Sequence, residues 1–228
     1  MALKSIIKGF VGKQTVRFGC WAKLDSRGYR RLHNITLQTD NGTTQIDHVI
    51  VSRYGIFVIE TKHYDGWIFG SEKDRQWTQT FGRKKFRFQN PLHQNYKHIK
   101  ALSDATGIDK ECFHSIVFFS GESTFKTEMP ANVMNRGFTR YIKQFKTALF
   151  TDGEVDDIIE RLSSERMART LATRRKHIRS VKERYESTDT CPKCGQALVE
   201  RTVRNGPRQG AKFLGCSGYP KCRFTREL

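Results

Sequence analysis

Two periodicities divide the chain. Apolar positions Val16, Phe18, Trp21 and Leu24 fall roughly on one side of a helix over 3–25, the spacing of a surface helix that packs on a core. Leu32, Ile35 and Leu37 predict a strand between Tyr29 and Thr39, closed by the turn signal Asp40-Asn41-Gly42. The clearest hairpin follows. Thr44–Val51 and Ile56–Lys62 are β-rich, joined by Ser52-Arg53-Tyr54-Gly55. Further strands are predicted at Gly66–Gly70 and, one or two, between Gln76 and Phe88. Asn90-Pro91 opens a helix that turns Leu92, Tyr96, Ile99 and Leu102 or Ser103 inward and ends near Gly107. Ser115–Phe119 reads as a buried strand. Phe138, Tyr141, Ile142, Phe145 and Leu149 predict a helix over 135–150. A long helical stretch from Val155 to about Tyr185 begins apolar and turns basic at Arg174-Arg175-Lys176.

These segments give one α/β domain over 1–150, a basic helical connector over 151–186 and a small C-terminal module over 187–228. A length of 228 residues suffices for that division. No run of about eighteen apolar residues exists, so no membrane span is expected. The N-terminus is too interrupted for a secretory signal, and the expected location is cytoplasmic. The net charge of +18 favours a polyanionic partner. Nucleic acid is the first reading. A membrane surface is its rival, but no basic amphipathic helix with an aromatic face supports it.

The hairpin carries the candidate chemistry. With a turn at 52–55, Val51 faces Ile56, and counting back sets Asp47 opposite Glu60. Lys62 lies on the same face, because strand side chains alternate. Two carboxylates opposed on a sheet repel each other. A shared Mg²⁺, which prefers hard oxygen ligands, is the simplest reason for them. Lys62 would then position or polarise an attacking water, or neutralise a phosphate. The plainer alternative is that Asp47 and Glu60 end their strands and point into water. His48 falls on the opposite face, where packing is its expected role. Trp67, Trp77 and the many Phe residues read as core before they read as base-stacking platforms.

The hairpin, Gln45-Ile46-Asp47-His48-Val49-Ile50-Val51-Ser52 followed by Tyr54-Gly55-Ile56-Phe57-Val58-Ile59-Glu60-Thr61-Lys62, resembles the nuclease-related domain, NERD. That family is similar to the PD-(D/E)xK nucleases. Trp67-Ile68-Phe69-Gly70, Trp77-Thr78-Gln79 and Gln89-Asn90-Pro91 with Gln94 extend the resemblance over roughly residues 9–125. It implies a restriction-endonuclease-like central mixed sheet flanked by helices, of the α/β (α+β) class. It further implies DNA phosphodiester hydrolysis with Mg²⁺ or Mn²⁺ held by Asp47 and Glu60, assisted by Lys62, with Gln94 near the site. One departure stands out. The family opens Gly-x-x-Gly-Glu, and here Gly9-Phe10-Val11-Gly12 is followed by Lys13. A lysine cannot ligate a metal, so a catalytically impaired DNA-binding or recruitment protein is the alternative.

Six cysteines are present. Cys20 and Cys112 stand apart among apolar neighbours. Cys191-Pro192-Lys193-Cys194 and Cys216-Ser217-Gly218-Tyr219-Pro220-Lys221-Cys222 form two knuckles suited to one tetrahedral, structural Zn²⁺. A module this small cannot fold on apolar burial alone, so the metal supplies much of its stability. The segment from Phe213 to Cys222 looks like the C-terminal zinc ribbon of type IA DNA topoisomerases, which implies a grip on single-stranded DNA or DNA ends. Lys212, Phe213, Tyr219, Lys221, Arg223 and Phe224 offer stacking and phosphate contacts. The oligomeric state is not legible in the sequence.

Overall fold

The computed structural model describes residues 2–40, 42–220 and 222–228, without the side chains of residues 2–11. Asn41 of the expected turn therefore lies outside the described residues. The protein divides into two compact units, one comprising residues 1–37 and 44–167, the other residues 38–43 and 168–228.

The first unit is built on a mixed sheet of β1 (Arg30–Thr39), β2 (Gly42–Ser52), β3 (Gly55–Lys62), β7 (Phe113–Phe119) and β9 (Val133–Met134), in the order β1-β2-β3-β7-β9. β2 and β3 are antiparallel, while β3, β7 and β9 run parallel. Alternation along the strands splits the core in two. Val49, Val51, Ile56 and Val58 face α2 (Pro91–Thr106) and α4 (Asp152–Glu165), meeting Ile99, Leu102, Val155, Ile158 and Leu162. Ile50, Phe57 and Ile59 face the other way, onto Val16 and Cys20 of α1 (Ala2–Lys23), onto Leu24 just past it and onto α3 (Phe138–Ile142). The result is the helix-flanked mixed sheet expected from the sequence. A second sheet, ordered β6-β5-β4-β8, comprises β4 (Gly66–Phe69), β5 (Gln76–Phe81), β6 (Lys84–Gln89) and β8 (Ser123–Phe125). It packs Ile68 and Trp77 on Val117 and Phe119.

The β2–β3 turn forms where the sequence places it, with Ser52 paired to Gly55 and Val51 to Ile56. Gly55 takes φ +121°, and a Cβ there would meet the His114 imidazole at 2.5 Å, so only glycine fits. The start of α2 also follows the sequence: Asn90 accepts from the Leu92 N–H with Pro91 in the first turn, and Gly107 donates to the Ser103 carbonyl.

Tertiary contacts override the periodicity elsewhere. Among the described residues of α1 the buried large side chains are Val16 and Cys20, followed by Leu24 just past its end, while Phe18 and Trp21 are exposed. The packed stripe thus runs by fours through a cysteine that reads as neutral in a sequence pattern. Tyr96 of α2 and Trp67 of β4 also lie exposed, not inward. The helix expected over 135–150 stops at Ile142, because the Leu149 and Phe150 N–H groups both turn back to the Arg53 carbonyl. The long stretch after Val155 is two helices, α4 and α5 (Leu171–Glu186). Between them the Met167 N–H donates to the Thr36 carbonyl of β1, an exit no helix can make while its own ladder continues.

Gly12 sets how closely α1 approaches the sheet. A Cβ at this position would meet Ser120 Oγ at 2.7 Å and His63 Cβ at 3.1 Å. Gly12→Val is expected to cost about 1–3 kcal/mol through overpacking and to lower the thermal midpoint by several degrees. Gly153→Ala, at a position with nothing within 4 Å, should leave the midpoint nearly unchanged in the same melts.

Candidate functional site

The open end of the β2–β3 hairpin gathers two buried carboxylates. Asp47 is 7% exposed and Glu60 3%, so they do not end their strands in water. The register runs from Ser52–Gly55 to His48–Ile59. At the next position Asp47 Oδ2 accepts the Thr61 N–H at 3.2 Å. The ladder thus ends one step short of Asp47 and Glu60, where the Asp47 carboxylate reaches the neighbouring backbone. Both acids still share one electrostatic site, since the Glu60 charge acts on Asp47.

Each carboxylate has its own ammonium. Lys62 Nζ lies 2.7 Å from Glu60 Oε1 and 2.8 Å from Gln94 Oε1, which brings together three of the residues the sequence singles out. Lys13 Nζ lies 2.6 Å from Asp47 Oδ1 and 3.4 Å from Asn34 Oδ1. The close approach at Gly12 sets the neighbouring residue of α1 against β2. Asn34 sits in the left-handed region at φ 51°, a conformation that asparagine tolerates better than most residues.

Two further residues complete the site. His98, one helical turn beyond Gln94, places Nε2 3.3 Å from Glu60 Oε2 while Nδ1 contacts Thr44 Oγ1 at 2.9 Å. Asn95 fastens α2 to the sheet by donating to the Val58 and Ile116 carbonyls and to Ser115 Oγ. The i,i+4 spacing of Gln94 and His98 was a readable signal for His98. Nothing in the sequence marks Asn34. His48 is buried on the α1 side with Nδ1 2.8 Å from His33 Nδ1. Burial, with His33, Lys13 and Arg17 nearby, pushes its pKa down to about 3. It is a neutral, packed imidazole.

The two carboxyls are driven apart in acidity. Burial and the Glu60 charge raise Asp47, against the pull of Lys13. Burial also acts to raise Glu60, but Lys62 and His98 outweigh it and hold Glu60 below the ordinary range. Lys62 is raised: burial opposes its charge, and Glu60 more than offsets it. As donors, two carboxylates suit a hard divalent cation, yet Asp47 Oδ1 and Glu60 Oε1 each already face an ammonium. By donor chemistry the pair would suit one such ion, which would have to displace the Lys13 ammonium from Asp47.

The second unit holds the cysteines. Their four Sγ atoms lie within 4.8 Å of one another, with Cys191 to Cys222 at 3.7 Å and Cys194 to Cys216 at 3.2 Å. Tetrahedral zinc bonded to four thiolates sets sulfurs about 3.8 Å apart, so the cluster fits Zn²⁺. It is the sole group of three or more His, Cys, Asp or Glu ligands so arranged among the described residues. The knuckles hang from β10 (Leu198–Thr202), β11 (Lys212–Cys216) and β12 (Thr225–Glu227), a three-stranded sheet. Its core holds little beyond Leu198, Leu214 and the ligands themselves, with Phe224 packed partly against them. Tyr219 is exposed, and the Arg201 guanidinium lies 5.7 Å from its ring centroid. Phe213 is half-buried and Arg223 exposed. Lys212 is exposed and pairs with Glu200 at 2.8 Å. Lys221 lies outside the described residues.

A helix-flanked mixed sheet with paired acids at a hairpin end, together with a four-thiolate ribbon, defines a nuclease-like protein with a zinc module. Residues 8–120 match the nuclease-related domain family and residues 188–228 the topoisomerase DNA binding C4 zinc finger. The chain thus carries a nuclease-related domain and a topoisomerase-type zinc ribbon. It is 55% identical over 96 residues to an uncharacterized protein of Bacillus anthracis, covering 42% of this chain and 45% of that one. Over 42 residues it is 48% identical to the uncharacterized protein YrdD of Escherichia coli, covering 18% of this chain and 21% of that one. It is also 48% identical over 40 residues to DNA topoisomerase 1 of Methanothermobacter thermautotrophicus, covering 18% of this chain and 5% of that one. The matches thus span less than half the length of these relatives. No solved structure matches the chain.

Two outcomes follow from this geometry. Because the fold holds Glu60 below the ordinary carboxylate range, its ionisation contributes stability at neutral pH that is lost as pH falls through and below that range. Lys62→Met should remove this contribution and cost about 3–5 kcal/mol at pH 7, read by denaturant melts across pH. In the ribbon, chelation of Zn²⁺ or Cys216→Ser should unfold residues 188–228, read by loss of their dispersed amide resonances and release of one zinc per chain.

Proposed function

We propose that the protein hydrolyses DNA phosphodiester bonds with a divalent cation at the Asp47–Glu60 site, and that the zinc ribbon holds the strand, single-stranded DNA or a DNA end. The observation that carries this reading is the Lys62 ammonium, bonded to both buried Glu60 and Gln94. A lysine fixed beside two acids is suited to hold a phosphate oxygen or to orient the attacking water. Asp47 and Glu60 would hold Mg²⁺ or Mn²⁺. Such an ion supplies Lewis-acid stabilisation of developing charge and a more acidic water. Gln94 fixes the Lys62 ammonium, and Asn95 holds the helix that carries Gln94. For the ribbon, the exposed Tyr219 beside Arg201, with Phe213, Lys212 and Arg223 nearby in sequence, supports stacking and phosphate contact.

Lys13 favours a second reading. Its ammonium occupies the Asp47 oxygen that a metal needs, and two lysines neutralise two carboxylates without one. A protein that binds DNA and does not cut it would keep this arrangement. The two readings part on a single series. With Mg²⁺ or Mn²⁺, the wild type should nick or degrade DNA, Asp47→Asn should lower the rate at least a hundredfold, and Lys13→Glu should raise metal affinity at this site, measured by calorimetry with zinc already bound. Absence of cleavage by both wild type and Lys13→Glu would leave the binding reading. Cleavage unaffected by Asp47→Asn would place the activity elsewhere.

A further inference from the structure

The second sheet has a face that neither the core nor the carboxylate site uses. Register defines it: Trp67 pairs with Thr80 and Thr124, Thr80 with Lys85, Phe69 with Thr78, and Thr78 with Arg87. Paired residues share a face, so Trp67, Lys85 and Arg87 project together. Lys126, just past β8, joins them, its Nζ 4.7 Å from the Trp67 ring centroid. The intervening residues Ile68 and Trp77 point the other way and are fully buried against Val117 and Phe119. Trp67 is 52% exposed, and Lys85, Arg87 and Lys126 are exposed.

The charge of this surface is one-sided. None of the four strands contains an acidic residue, and Arg83 adds a cation at the β5–β6 turn. The helix α5 is basic too, but two of its cations, Arg179 and Lys182, pair with Glu183 and Glu186 along it. An acid-free sheet face bearing an exposed indole calls for an anionic partner with flat rings. Single-stranded nucleic acid combines both, with phosphates for the cations and bases for the aromatic ring.

We infer that this face of the second sheet is a docking surface for single-stranded DNA, with a base stacked on Trp67 and phosphates on Lys85, Arg87 and Lys126. The inference rests on the proposed DNA reading in its choice of nucleic acid, and it adds to the nuclease-related unit a strand-binding surface separate from the zinc ribbon. Trp67, three residues from Tyr64 and five from Lys62 in sequence, ties the surface to the strand that carries the catalytic candidates.

The test uses the full chain with zinc bound, in an Asp47→Asn background so that no DNA is consumed. Binding of a (dT)ₙ oligonucleotide is measured by anisotropy from low to high salt. Each phosphate contact contributes about 0.7 to the slope of log K against log salt for a single strand, so Lys85→Ala/Arg87→Ala/Lys126→Ala should reduce the slope by about 2. Trp67→Ala should weaken binding about tenfold with the slope kept. In a Trp21→Phe variant, which removes the other exposed tryptophan, (dT)ₙ should quench the Trp67 fluorescence. These side chains are exposed, and unchanged thermal midpoints will show that the variants fold. An unchanged slope in the triple variant overturns the surface. A reduced slope without Trp67 quenching, or equal loss on duplex DNA, overturns the single-strand assignment. A protein that binds here but cuts no DNA leaves this inference standing and sinks the hydrolase reading; one that cuts DNA with the slope unchanged does the reverse.

Discussion

Burial of two carboxylates, each matched to an ammonium, is the constraint on which the first unit depends. A bare carboxylate in a low-dielectric interior costs several kcal/mol even after relaxation. Asp47 and Glu60 are tolerated only because Lys13 and Lys62 reach them at 2.6 and 2.7 Å. These partners come from different elements: Lys62 from the strand that holds Glu60, Lys13 from the N-terminal helix. The Lys13–Asp47 pair therefore binds the N-terminal helix to the sheet. A fold seeking stability alone would fill these positions with apolar side chains at equal or lower cost. Keeping four charges at the end of a hairpin is an expense that function explains better than packing does.

The elements around the quartet serve to hold it. The absence of a side chain at Gly12 lets α1 come down on the ends of β3 and β7. Asn95 ties α2 to the carbonyls of β3 and β7, so Gln94 and His98 stand on a fixed helix. The Thr61 N–H donates to Asp47 Oδ2, so the carboxylate itself is anchored to the neighbouring strand. Charge and geometry thus converge on one site, with acidities driven apart between Asp47 and Glu60, an arrangement typical of acid–base chemistry and of metal-ligand pairs.

The ribbon follows a different rule. Its apolar content reduces to Leu198, Leu214 and the flank of Phe224, too little to offset the ordering of a short chain. Four sulfurs within reach of one ion replace a core. Because closure of the metal site consumes the cysteines, the surface is left to Tyr219, Arg201 and their basic neighbours.

The sequence by itself determined the hairpin, its turn, the α2 cap and the zinc ligands, because each rests on local chemistry: Gly55 at a left-handed position, Asn90 and Pro91 at a helix start, thiols at knuckle spacing. It also marked Asp47, Glu60 and Lys62, since strand alternation sets them on one face, while Gln94 was implied by the family resemblance. Only the tertiary structure decided the rest. The end of α3 depends on an Arg53 carbonyl far away in sequence, the break before α5 on Thr36 of an edge strand, and the exposure of Phe18, Trp21 and Trp67 on which neighbours arrive to cover them. Above all, a lysine that reads as a lost ligand is an ion-pair partner in the folded protein, because charge is compensated through space and no spacing rule along a chain records which helix will approach which strand.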